Sequence, residues 1–101
     1  MITFEKFSIL PVKVRILYIK KLLNRLGYNI QETFKEDKEY KKALRDFQVK
    51  NNFAPNCMIS KKIYLFIINQ VPNHKQIYNE LKMRWIKCWI KILIIDYKTK
   101  Y

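Results

Sequence analysis

The stretch Asp46–Ser60, "DFQVKNNFAPNCMIS", decides how the rest of the chain is read. Up to about Asn51 it completes an amphipathic helical pattern, with Phe47 as the last member of the apolar face. The run "NNFAPN" then ends that helix: Asn side chains bond to nearby backbone in turns, and Pro55 has a fixed φ and no N–H. Ser60 follows, a residue whose hydroxyl accepts from the free amides of a starting helix. The stretch therefore reads as helix, turn, capped helix.

On its N-terminal side, the segment from about Glu36 to Asn51 places Tyr40, Ala43, Leu44 and Phe47 on one apolar face. Glu36, Asp37 and Glu39 stand at its start, where the helix dipole favours acids. Further back, Val14, Leu17, Tyr18, Leu22 and Leu26 recur at spacings of three and four, with Lys13, Lys20 and Arg25 among the polar positions. Gly27 supplies the left-handed stop. After the turn, Ile63, Tyr64, Ile67 and Ile68 form the apolar face of a third helix, Lys61 to about Val71. Leu22, Leu26, Leu44, Phe47, Phe53 and Ile67 are expected to be buried together.

These segments predict an all-α fold, a small orthogonal three-helix bundle followed by a C-terminal amphipathic helix. The chain has 101 residues, enough for one compact unit with arms. Its divisions are an N-terminal arm (1–11), the bundle (12–71) and a basic C-terminal helix (72–101).

Read as "RILYIKKLLNRLGY" and "ALRDFQVKNNFAPNCMISKKIYLFI", the chain resembles the peptidoglycan-binding-like domain, a three-helix module often appended to wall hydrolases. That family's pattern has an LGY-type end to its first helix, an A-[VL]-x-x-F-Q end to its second, an N-G-[LF] turn and a D/S cap on its last helix. Leu26, Gly27, Tyr28, Ala43, Leu44, Phe47, Gln48, Asn51, Phe53 and Ser60 fall on those positions. The family's glycine-containing loop between its first two helices is replaced by "NIQETFKEDKEY", and its later turn glycines by Asn52 and Cys57. The matching residues are core, cap and turn residues, so the resemblance implies a scaffold; wall binding stands as an alternative function.

Lys, Ile, Asn, Tyr, Phe and Met make up more than half of the chain, a bias toward residues with A/T-rich codons. With 21 Lys and Arg against 8 Asp and Glu, the formal charge is +13, which favours an anionic partner. Only Arg15, Arg25, Arg45 and Arg84 bring the fork that pairs bidentately with phosphate, so a dedicated nucleic-acid reader is the less favoured partner class. Cys57 and Cys88 lack CxxC spacing and His74 stands in the loop "VPNHKQ", so no metal site or cofactor site is expected. Glu5, Lys6 and Pro11 interrupt any apolar run at the start, so no secretory signal is expected there.

The tail, "HKQIYNELKMRWIKCWIKILIIDYKTKY", reads as a helix from about Lys75 to Tyr97. Trp85, Ile86, Trp89, Ile90 and Leu93 form its broad apolar face, and Arg84, Lys87, Lys91 and Lys98 a narrow basic stripe. Lys87 and Lys91 interrupt the apolar part, which is shorter than the roughly 20 uncharged residues of a membrane span. Two placements stay open: a fourth core helix, or docking on a partner protein or anionic lipid. Arg84, Trp85, Lys87, Trp89 and Lys91 are the candidate contact residues for the second.

No enzyme chemistry is expected. The acids Glu32, Glu36, Asp37 and Glu39 read as helix start or solvated face, and the pairs Lys20–Lys21, Lys41–Lys42 and Lys61–Lys62 as solvation. The sequence holds no Gly-rich phosphate loop or nucleophile elbow. In composition the chain is similar to small reading frames of ciliate mitochondrial genomes, whose products are lineage-specific subunits of respiratory complexes. That similarity implies a non-catalytic accessory subunit bound to other subunits, on the matrix side of or associated with the inner membrane, with the NADH dehydrogenase complex as first choice. A bacterial or phage wall-binding module and an RNA-binding mitochondrial ribosomal protein are the alternatives.

Overall fold

A computed structural model describes residues 3–81 and Met83 of the chain. The N-terminal arm holds a short helix, α1 (Phe4–Ser8), capped by Thr3, whose hydroxyl accepts from the Lys6 N–H at 3.2 Å. A five-residue helix is too short to stand alone. Packing holds it: Phe7 is buried and its ring stacks on Tyr64 at 4.7 Å.

Helix α2 (Val12–Arg25) enters behind Pro11 and is the axis of the bundle, packing on both other long helices. It ends where Gly27 takes a φ of +97°. There the Gly27 N–H donates to Asn24 O at 3.1 Å and the Tyr28 N–H to Leu23 O at 3.2 Å, the paired bonds of a Schellman cap. Helix α3 (Lys38–Lys50) ends in the same way, with Asn52 at φ +63° in the glycine's place. Its bonds run from the Asn52 N–H to Val49 O at 3.2 Å and from the Phe53 N–H to Gln48 O at 2.7 Å. Helix α4 (Lys61–Gln70) starts on Ser60, whose Oγ accepts from the Ile63 N–H, and stops at Val71, before Pro72. Helical structure resumes at residue 74, so His74 opens a helix rather than lying in a loop; this stretch, residues 74–81, buries Ile77 and Leu81.

Among the described residues the fold is all-α, with no strand. Every residue of the three expected apolar faces is buried except Leu26, which is half-buried. Of the six residues expected to share a core, Leu22, Leu44, Phe47 and Ile67 are fully buried, while Leu26 and Phe53 pack half-buried against them.

One assignment is corrected. Lys20, read from the sequence as a solvated position, has 0% exposure. Lys20 lies on the side of α2 covered by the 26–37 connection and the start of α3, whereas Lys13 and Arg25 on the same helix stay exposed. The Lys20 ammonium is satisfied internally: it donates to Thr33 Oγ1 at 2.8 Å, pairs with Asp37 Oδ2 at 3.1 Å, and lies 5.8 Å from the Tyr40 ring centroid. Asp37 is also the N-cap of α3, accepting from the Tyr40 N–H at 3.0 Å. That backbone bond, and then Lys20, hold the Asp37 carboxyl below its ordinary pKa.

Candidate functional site

One face of α2 carries Val12, Arg15, Ile16 and Ile19, spaced i, i+3, i+4 and i+7, and this row is one wall of a groove of about 510 Å³. Phe4 and Phe7 of α1, Tyr40 of α3, Ile63 of α4 and most of the segment from Phe53 to Ser60 contribute to the rest of the lining, which is mainly apolar.

The loop wall is held chiefly by one side chain, which makes three bonds to it. Gln48, fully buried on α3, donates through Nε2 to Asn56 Oδ1 at 3.1 Å and to Met58 O at 3.0 Å. Its Oε1 accepts from the Cys57 N–H at 3.0 Å. Reaching that arrangement puts Cys57 in the left-handed region, φ +57°, and its thiol donates to Lys41 O at 3.4 Å. The loop leaves Met58 exposed, and Val12, which lines the same groove, is exposed as well.

Charge enters the groove at Arg15 and Glu36. Arg15 Nε is buried and has no hydrogen-bond partner, and no salt bridge to Arg15 occurs among the described residues. Tyr40 is buried, and its hydroxyl is pushed up to about 12, first by burial and then by the nearby Glu36 charge, with Arg15 opposing. The arrangement suits an apolar group accompanied by an anion and holds no nucleophile paired with a base.

A second hollow, about 320 Å³, lies beside Lys21, Asn24 and Glu32 and is already occupied with its own bonds. Lys21 pairs with Glu32 at 2.7 Å, and Asn24 donates to both Ile30 O and Glu32 Oε2 while accepting from the Ile30 N–H. Lys21, and then Asn24, lower the Glu32 pKa.

The acids Glu32, Glu36, Asp37 and Glu39 are dispersed: Glu32 is paired with Lys21, Asp37 caps α3, Glu36 lines the groove and Glu39 is an exposed residue in the first turn of α3. No group of three His, Cys, Asp or Glu able to hold a metal occurs among the described residues. No helix among those residues is long and apolar enough to cross a membrane. The candidate contact residues Arg84, Trp85, Lys87, Trp89 and Lys91 lie outside the described residues. What sequence reasoning missed was Arg15: its spacing from Val12, Ile16 and Ile19 was a signal, but only the fold of the 53–60 loop makes that row a groove. No family model, no curated protein and no solved structure matches the chain.

Proposed function

We propose that the chain is a non-catalytic structural subunit, a peptidoglycan-binding-like bundle reused within a large mitochondrial assembly, with the respiratory NADH dehydrogenase complex as the first choice. The observation that carries this reading is where the buried polar side chains are committed. Lys20 is bonded to the segment before α3, and Gln48 to the segment before α4. Both maintain the shape of connecting loops, the use a scaffold makes of them. The +13 charge and the A/T-type composition support an organellar setting with an anionic lipid surface nearby.

Wall binding stays as a second reading because of one observation. Asn52 and Cys57, which stand where the resembled family carries turn glycines, both hold positive φ. The backbone there keeps a glycine-like path although the side chains differ, which supports the family resemblance. The absence of glycine beyond Gly27 in the loop between α2 and α3, where the resembled family carries it, favours a scaffold over a wall ligand site.

Native electrophoresis of mildly solubilised organelles, probed for an epitope on this chain, tests the proposal. The expected result is co-migration with NADH dehydrogenase activity. Migration with ribosomal particles, or co-sedimentation of the isolated protein with peptidoglycan at about 0.5 M salt, where screening leaves a Debye length of a few ångströms, would replace it.

A further inference from the structure

We propose that the groove between α1, α2 and the 53–60 loop docks an extended segment of a partner protein, seating an apolar side chain against Val12 and Ile16 and a carboxylate on Arg15. This rests on the reading of the chain as a subunit among other proteins. Three features of the groove lead to it.

First, the α2 wall is an apolar row with a single cation set into it. A guanidinium left in such a row is well placed for an anion, because its fork can grip a carboxylate by two parallel bonds. Second, Arg15 is only partly buried and its Nε has no acceptor, so the fold leaves guanidinium donor capacity unused. Third, the groove's lining includes apolar side chains in the open, Val12 at 58% and Met58 at 67% exposure. Exposed apolar groups beside a recess mark places where another surface settles.

The charges decide between occupants. Glu36 lines the same groove as Arg15 and would repel a surface dense in anionic headgroups. A peptide meets both: its carboxylate pairs with Arg15, while its backbone N–H groups can donate to Glu36. The net charge of +13 would favour acidic partners at long range, and the groove would select among them by the apolar neighbour of the acid.

The experiment is selection of random heptapeptides displayed on phage against the whole chain at about 0.3 M salt, where exposed charges are screened within several ångströms. Selected peptides should carry Asp or Glu flanked by Leu, Ile or Phe. Titrated as a synthetic peptide, the best of them should bind Arg15→Gln at least about tenfold more weakly than the native chain and bind Lys50→Gln as tightly. Lys50 is an exposed cation outside the groove, so the pair separates a specific contact from bulk charge. Met58→Glu, a change at an exposed position, should also weaken binding about tenfold and serves if Arg15→Gln fails to fold. Selected peptides without acids, no selection at all, or equal weakening by Lys50→Gln would overturn the proposal. So would phosphatidylglycerol vesicles binding in an Arg15-dependent manner while peptides do not. Co-migration with a respiratory complex is measured separately, so loss of the groove proposal leaves the subunit reading to stand or fall on its own test.

Discussion

The two long connections of the bundle, residues 26–37 and 51–60, solve the same problem by different chemistry. Each follows a helix that ends in a Schellman cap, and each is pinned by one fully buried polar side chain from the helix before it. Lys20 pins the far end of the first by charge, through Thr33 and Asp37, while the half-buried Asn24 amide holds its near end at Ile30; Gln48 pins the second by a neutral amide that both donates and accepts. The charged pin has an ionisable partner and so depends on pH, whereas the amide does not. Loops of similar length in one small core can therefore differ in what releases them.

The largest expected effect removes the support under both loops at once. The Phe47 ring lies 6.4 Å from Tyr28, in the first connection, and 5.9 Å from Phe66, which itself meets Phe53 of the second at 5.4 Å. Phe47→Ala should cost about 3–5 kcal/mol in denaturant unfolding, as deletion of a core aromatic does. A cost below about 1 kcal/mol would mean that the loops do not rest on the ring.

Next comes an asymmetry within the charged pin. Asp37→Ala leaves the Lys20 ammonium buried with only Thr33 and a ring face, and also removes the α3 cap. Lys20→Met takes away the charge and keeps most of the volume, leaving a partly solvated Asp37 that still caps the helix. Chemical denaturation should show the first variant well below the second, because an unpaired buried charge costs far more than an apolar replacement of it. Equal losses would show that the Lys20 ammonium is not confined.

The neutral pin should be milder than the loss of Phe47. Gln48→Leu leaves the Cys57 N–H without its acceptor and Met58 O without its donor, and should cost about 1–3 kcal/mol. Its effect should be local: Cys57 should become more accessible to a thiol reagent while amides near Thr33 keep their protection. Simultaneous release of both connections would erase the distinction between them.

Much of this architecture was legible in the sequence. The α3 and α4 faces could be read because each helix buries one stripe, and the Ser60 cap and the Gly27 stop follow from local chemistry alone. Periodicity failed at Lys20 because its burial depends on partners 13 and 17 residues away, Thr33 and Asp37, which no helical wheel of α2 contains. Helix α1 escaped notice because five residues carry too few turns to show a period. The groove needed the path of the 53–60 loop, which is set by the long-range bonds of Gln48 and by the left-handed Cys57. A free backbone and a cysteine side chain do not announce that conformation.

The claim that the buried polar side chains serve the loops is tested most directly by amide hydrogen exchange at two positions as the pH is lowered from about 7 to about 2. The Tyr40 N–H reports the charged pin through Asp37, and the Cys57 N–H reports the neutral one through Gln48. Since the folded pKa of Asp37 is depressed, its stabilisation is present above about pH 4, the ordinary carboxylate range, and is lost as the pH falls through the folded value. With the buried residues Leu44 and Ile67 as the reference for global opening, the account predicts that protection falls at Tyr40 and persists at Cys57. Parallel loss at both while Leu44 and Ile67 stay protected, or no protection at Cys57 even at neutral pH, would contradict it.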